Sequence, residues 1–203
     1  MPNWCSNDLY IYGKGRHEIV TAIAGKDHEV IDFDKIVPMP TILSGTIKGS
    51  RENMAAVLLG WETGSYMLDW GWVKEAGVTT LEGLKALLLK RDDTLLATAE
   101  KMKQARAETG YTNWYDWSVE NWGTKWNAHD GSCEEHRTRF LLTFDTAWSP
   151  PVPVIEALSE KYPKNKFSLR YYEAGMGYKG RFAVKGGQVL ENYQGEYRGR
   201  RGG

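Results

Sequence analysis

The chain has 203 residues, 41% of them hydrophobic and 26% charged, and its 26 basic residues balance 26 acidic ones. This composition excludes a disordered chain, and the zero formal charge excludes a whole-molecule field drawing the protein to nucleic acid or anionic membrane. Any electrostatic partner has to be met by a local patch.

The first residues, MPNWCSNDLYIYG, lack a basic stretch followed by an apolar one, and the longest apolar runs are far too short to span a bilayer. A cytoplasmic protein without membrane contact is expected. Cys5 and Cys133 are the only cysteines. Two free thiols, with no disulfide, suit a reducing compartment.

Leu9 and Ile11 alternate with Tyr10 and Tyr12 before Gly13 and Gly15, which predicts a strand. Ile19, Val20 and Ile23 have helical spacing and Gly25 is the expected cap. Over residues 30–37, Ile31 and Phe33 alternate with Asp32 and Asp34, predicting a second strand stopped by Pro38. The pattern recurs late in the chain. Phe140, Leu142 and Phe144 alternate as a strand, Ser149 and Pro150 are placed to open a helix, and Val154, Ile155 and Leu158 give it an apolar stripe. Phe167, Leu169 and Tyr171 form another strand, and Gly186-Gly187 marks a hairpin turn.

Two strand–helix–strand units predict an α+β chain with a ferredoxin-like split βαβ antiparallel sheet. Its core is expected in residues 1–40 and 138–196, with a mainly helical, Trp-rich insertion over 41–137, for which a separate second domain is the alternative, and a flexible Arg/Gly tail over 197–203. The leucines from Leu81 to Leu95 supply the insertion's helices. Trp114, Ser118, Trp122 and Trp126 lie four apart, one stripe on a continuous helix, with Trp117 nearby. Their rings are expected to be mostly buried in a core.

The segments MPNWCSN, WYDWSVENWGTKWNA and FDTAWSPP resemble the YubB-like family of phage and plasmid proteins. That resemblance implies a ferredoxin-like fold and residence on a mobile element. It implies no activity, and two cysteines cannot supply the four thiolates of an iron–sulfur cluster.

His129, Cys133 and His136 have a spacing open to zinc, but without paired thiol ligands a solvated loop and no metal are expected. Gly13-Lys14-Gly15 suits a tight turn without a bound anion. No nucleophile elbow, Walker loop or metalloprotease signature is present, so neither catalysis nor a cofactor is expected.

These residues therefore predict a non-enzymatic binding module of a mobile element that engages a host protein, such as a defence-system component. Tyr172, Tyr178 and Arg181 near the C-terminus, with Tyr66 and Trp72 in the insertion, are the candidate anchors. The alternative is nucleic-acid binding through Arg198, Arg200 and Arg201 together with aromatic rings.

Overall fold

The computed structural model describes residues 3–26, 29–46, 48–61 and 64–199. The chain divides into two compact units, one of residues 1–38 with 118–203 and one of residues 39–117.

The first unit is a six-stranded antiparallel sheet in the order β2-β3-β1-β4-β5-β6. Its strands are β1 (Trp4–Tyr12), β2 (His129–His136), β3 (Arg139–Ala147), β4 (Lys166–Glu173), β5 (Tyr178–Lys185) and β6 (Gln188–Glu196). Helix α1 (Arg16–Ile23) follows β1, and the last helix (Val152–Lys161) joins β3 to β4. The four strands β2-β3-β1-β4 with these two crossovers make the ferredoxin-like fold, extended at one edge by the β5–β6 hairpin.

Residues 30–37 are not one of the strands. Phe33–Lys35 is a single 3-10 turn, capped by the Asp32 carboxylate accepting from the Asp34 N–H at 3.0 Å. An aspartate that bonds its own backbone competes with a sheet ladder, and this one prevails. Asn127 adds a clamp: its side-chain oxygen accepts the Phe33 N–H at 2.8 Å, and its amide donates to Asp32 at 2.7 Å. The expected alternation survives as burial, since Ile31 and Phe33 are fully enclosed. The Phe33 ring meets Phe144 and Trp122 edge-on at 6.0 and 5.9 Å, so this segment covers the sheet instead of joining it.

The strand that closes the first βαβ unit is β2, within the stretch expected to belong to the helical insertion. All eight of its residues are exposed, and it pairs with β3 alone. A bulge at Asp130, with φ of 43°, shifts the register between His129 and Gly131. A strand alternates its faces, so Cys133 and His136 point to opposite sides of the sheet. Among the described residues, no group of three or more His, Cys, Asp or Glu side chains is placed to hold a metal ion.

The buried face of the sheet is built by Leu9, Ile11, Phe140, Leu142, Phe167, Leu169 and Phe182, covered by Ile19 and Ile23 of α1 and by Val154, Ile155 and Leu158 of the last helix. Helix ends differ slightly from expectation. Ala24, not Gly25, caps α1, and the last helix is capped by Pro151. Ser149 instead donates its hydroxyl to the Gly123 carbonyl at 2.5 Å. Both Gly186 and Gly187 have positive φ, which gives the β5–β6 turn the twist that hairpins need.

The second unit holds α2 (Ser50–Leu59), α3 (Gly71–Glu75), α4 (Leu81–Arg91) and α5 (Leu95–Thr109). Val57, Met67, Val73, Leu84, Leu88 and Leu95 make its core. The helical unit ends at Trp117 rather than residue 137. Helix α6 (Trp114–Asn121) stops before Gly123, whose φ of 77° breaks the expected stripe of tryptophans. Trp117 and Trp122 are buried, Trp114 is half-buried and Trp126 is exposed. Gly123 has a second constraint, because a Cβ there would lie 2.8 Å from Pro153 and 3.1 Å from the Pro150 carbonyl. With α6 in place, Val152–Lys161 is α7. None of the described helices is long and apolar enough to cross a membrane.

Candidate binding face

Because α1 and α7 lie on one side of the sheet, the alternate residues of each strand are left on the other. On β1 these are Ser6, Asp8, Tyr10 and Tyr12; the same face of β4 carries Lys166, Ser168, Arg170 and Tyr172. Register then sets the neighbours. Asp8 lies opposite Arg170, Ser6 opposite Tyr172, Tyr172 opposite Lys179, and Arg170 opposite Arg181, which in turn faces Tyr193 on β6. Side chains directly opposite in a ladder have Cβ atoms about 5 Å apart, so residues from four strands become one surface.

A cleft of about 440 Å³ opens there, and its charged lining is Arg170, Lys179 and Arg181 against the single carboxylate of Asp8. Burial pushes the Asp8 carboxyl above its ordinary range, opposed by the Arg170 guanidinium beside it. Arg181 is shared with Glu191 at 3.2 Å. Arg170, Lys179 and Lys166 have no carboxylate within ion-pair distance among the described residues. Rings stand among these cations. Tyr172 stacks on Tyr197 with centroids 5.0 Å apart and planes 16° off parallel, and Arg181 lies 5.6 Å from the Tyr193 ring. Beyond the cleft, Tyr10 is flanked by guanidiniums from both neighbouring strands, Arg139 at 5.0 Å and Arg170 at 5.3 Å.

Of the residues singled out in the sequence, Tyr172 and Arg181 meet in this cleft. Tyr178 does not, because it lies opposite Glu173 and faces the other side of the sheet. Its hydroxyl donates to the Trp148 carbonyl, and burial beside Cys5 pushes its ionisation up. Tyr66 and Trp72 lie in the helical unit. There, Tyr66 is exposed with its ring 6.1 Å from Trp70, and Trp72 is half-buried under the Arg91 guanidinium at 4.5 Å. Arg198 is exposed and donates from Nε and Nη2 to one carboxylate oxygen of Glu196, whereas Arg200 and Arg201 lie outside the described residues.

The tail expected from residue 197 begins with an anchored residue. Tyr197 donates its N–H to the Gly177 carbonyl at 2.7 Å and lays its ring on Tyr172. Sequence reasoning passed over Tyr10, Arg139, Arg170, Lys179, Tyr193 and Tyr197. The available signal was the polar half of each strand's alternation, where Arg170 precedes Tyr172 by two and Lys179 precedes Arg181 by two.

Residues 121–201 match the model of a family described as the ferredoxin-like domain in Api92-like protein. The matched stretch takes in β2 through β6, including the whole cleft lining except Ser6 and Asp8. The crystal structure of a protein api92 from Yersinia pseudotuberculosis is similar to the chain at 15% identity and a TM-score of 0.49, covering 98% of this chain and 99% of that one. No curated protein matches the chain. The family match has the ferredoxin-like fold in common with the YubB-like resemblance, but names Api92-like proteins.

Proposed function

We propose that the chain is a non-enzymatic binding module that holds a macromolecular partner against the open face of its sheet. The observation that carries this reading is the cleft between β1, β4, β5 and β6, where exposed tyrosines stand among cations with too few carboxylates to neutralise them. Tyrosine and arginine make strong anchors, since each offers a large contact area and directed hydrogen bonds. Residence on a phage or plasmid, implied by the sequence resemblance, makes that partner a molecule of the host cell. A host protein is the partner expected from the sequence. The surplus of positive charge in the cleft supports an acidic partner surface.

The test reverses charge in the cleft. Arg170→Glu combined with Arg181→Glu is expected to abolish retention of the partner from a host-cell extract, with thermal unfolding close to the parent's. Lys103→Glu, on an exposed position of α5, is expected to leave retention intact. Equal retention by both variants sinks the reading.

A further inference from the structure

We propose that the occupant of the open sheet face is single-stranded nucleic acid, its phosphates held by Arg170, Lys179 and Arg181 and its bases stacked on the Tyr172–Tyr197 platform. This rests on the reading that the open face is the binding surface, and it adds the chemistry of what is bound. Charge complementarity is the first argument. The cleft lining carries three cations and one carboxylate, and Glu191 pairs with Arg181 at its edge, which leaves an excess of one positive charge in a chain whose formal net charge is zero. That concentrates the attraction for a polyanion at one place on the molecule.

Ring geometry is the second argument. Tyr172 and Tyr197 are already near-parallel at 5.0 Å, so a base added to the exposed end of that pair continues an existing stack. Stacking on aromatic side chains is indifferent to base identity and requires bases freed from a duplex, which selects single strands. A third argument comes from extent. Tyr10 lies on β1 opposite Ser168, four residues from Ser6, the partner of Tyr172. At about 3.3 Å per residue the two ring stations are about 13 Å apart along the strands, farther than one nucleotide's stacking distance. Arg139 and Arg170 flank the second station, and Lys166 lies opposite the neighbouring Tyr12. The face therefore offers a track of alternating cations and rings rather than an isolated pocket.

The experiment is fluorescence anisotropy with the full chain and labelled single strands of about 12 nucleotides, as RNA and as DNA, beside the corresponding duplexes and heparin. Three phosphate contacts give a slope of about −2 in log affinity against log salt, or a loss of about 15- to 20-fold between 50 and 200 mM. Arg170→Ala is expected to lower the magnitude of that slope by about 0.7. Tyr172→Ala is expected to weaken single-strand binding at least about 5-fold with the slope unchanged, and Tyr172→Phe to retain it. A 2′-hydroxyl contact shows as RNA bound more tightly than DNA, and equal affinity assigns the binding to phosphate and ring alone; both support the proposal.

Duplex or heparin bound as tightly as single strands, with no loss for Tyr172→Ala, overturns the stacking assignment. So does an oligonucleotide affinity unchanged by both Arg170→Ala and Tyr172→Ala. If no oligonucleotide binds, yet a host protein is retained by the parent and lost with Arg170→Glu and Arg181→Glu, this inference fails and the binding-face reading stands.

Discussion

Residues 30–37 and His129–His136 serve the same sheet in opposite ways. The first segment buries Ile31 and Phe33 against it without entering its ladder; the second enters the ladder with every side chain exposed. One is held by packing and by the Asp32–Asn127 clamp, the other by backbone hydrogen bonds to β3. The difference teaches that alternation of apolar residues reports which side of a chain is enclosed, while membership in a sheet depends on whether the backbone groups find a partner strand. Exposure also suits an edge. The charges and the bulge of β2 leave its outer side a poor template for another strand.

The comparison is sharpened by removing what holds each segment. Phe33→Ala deletes a ring enclosed between Phe144 and Trp122, and is expected to cost about 3–5 kcal/mol in urea unfolding. A loss below about 1 kcal/mol would show that packing is not what fixes this segment. Asn127→Ala leaves the Phe33 N–H without its acceptor and removes one of the two donors to Asp32, for an expected loss of about 1–3 kcal/mol. Asn127→Asp keeps the acceptor but sets a second carboxylate against Asp32, so it should recover little.

On β2 the expected effect is smallest. Cys133→Ser changes an exposed side chain and is expected to shift stability by less than about 0.5 kcal/mol. Cys5, fully enclosed on β1, gives the contrast, since burial pushes its thiol up to about 12. Its raised ionisation means the neutral thiol is the stable buried form below the ordinary thiol range. That contribution to stability is lost as pH rises toward 12. Alkylation of the native protein near pH 8 should therefore modify Cys133 and spare Cys5, and equal labelling would refute the enclosure of β1.

The C-terminal half of the fold was legible because each element there announces itself locally. β3 and β4 alternate, the α7 stripe recurs at helical spacing, and Gly186-Gly187 fits the hairpin turn. β2 was not legible, since HDGSCEEH has no apolar face to signal a strand. The tryptophan stripe misled for a comparable reason: spacing by four means one helical face only while the helix continues, and Gly123 ends that continuity. In the candidate site, Tyr172 and Arg181 were visible as an aromatic and a cation near glycines. Tyr10, Arg139 and Arg170 come from three different strands, and only the order β3-β1-β4 brings them together.

That strand order also governs when the sheet can form. β1 is made long before either of its neighbours, since Trp4 pairs with Ala147 and Cys5 with Glu173. At about 5–20 residues per second, β1 waits on the order of 10 s for a partner while the contiguous helical stretch of residues 39–117 is already complete. Closing so long a loop is slow, and an unpaired apolar strand is exposed to association meanwhile. In a nascent chain stalled near residue 155, with β3 still inside the exit tunnel, the helical unit is expected to resist protease while Trp4–Tyr12 is still cut.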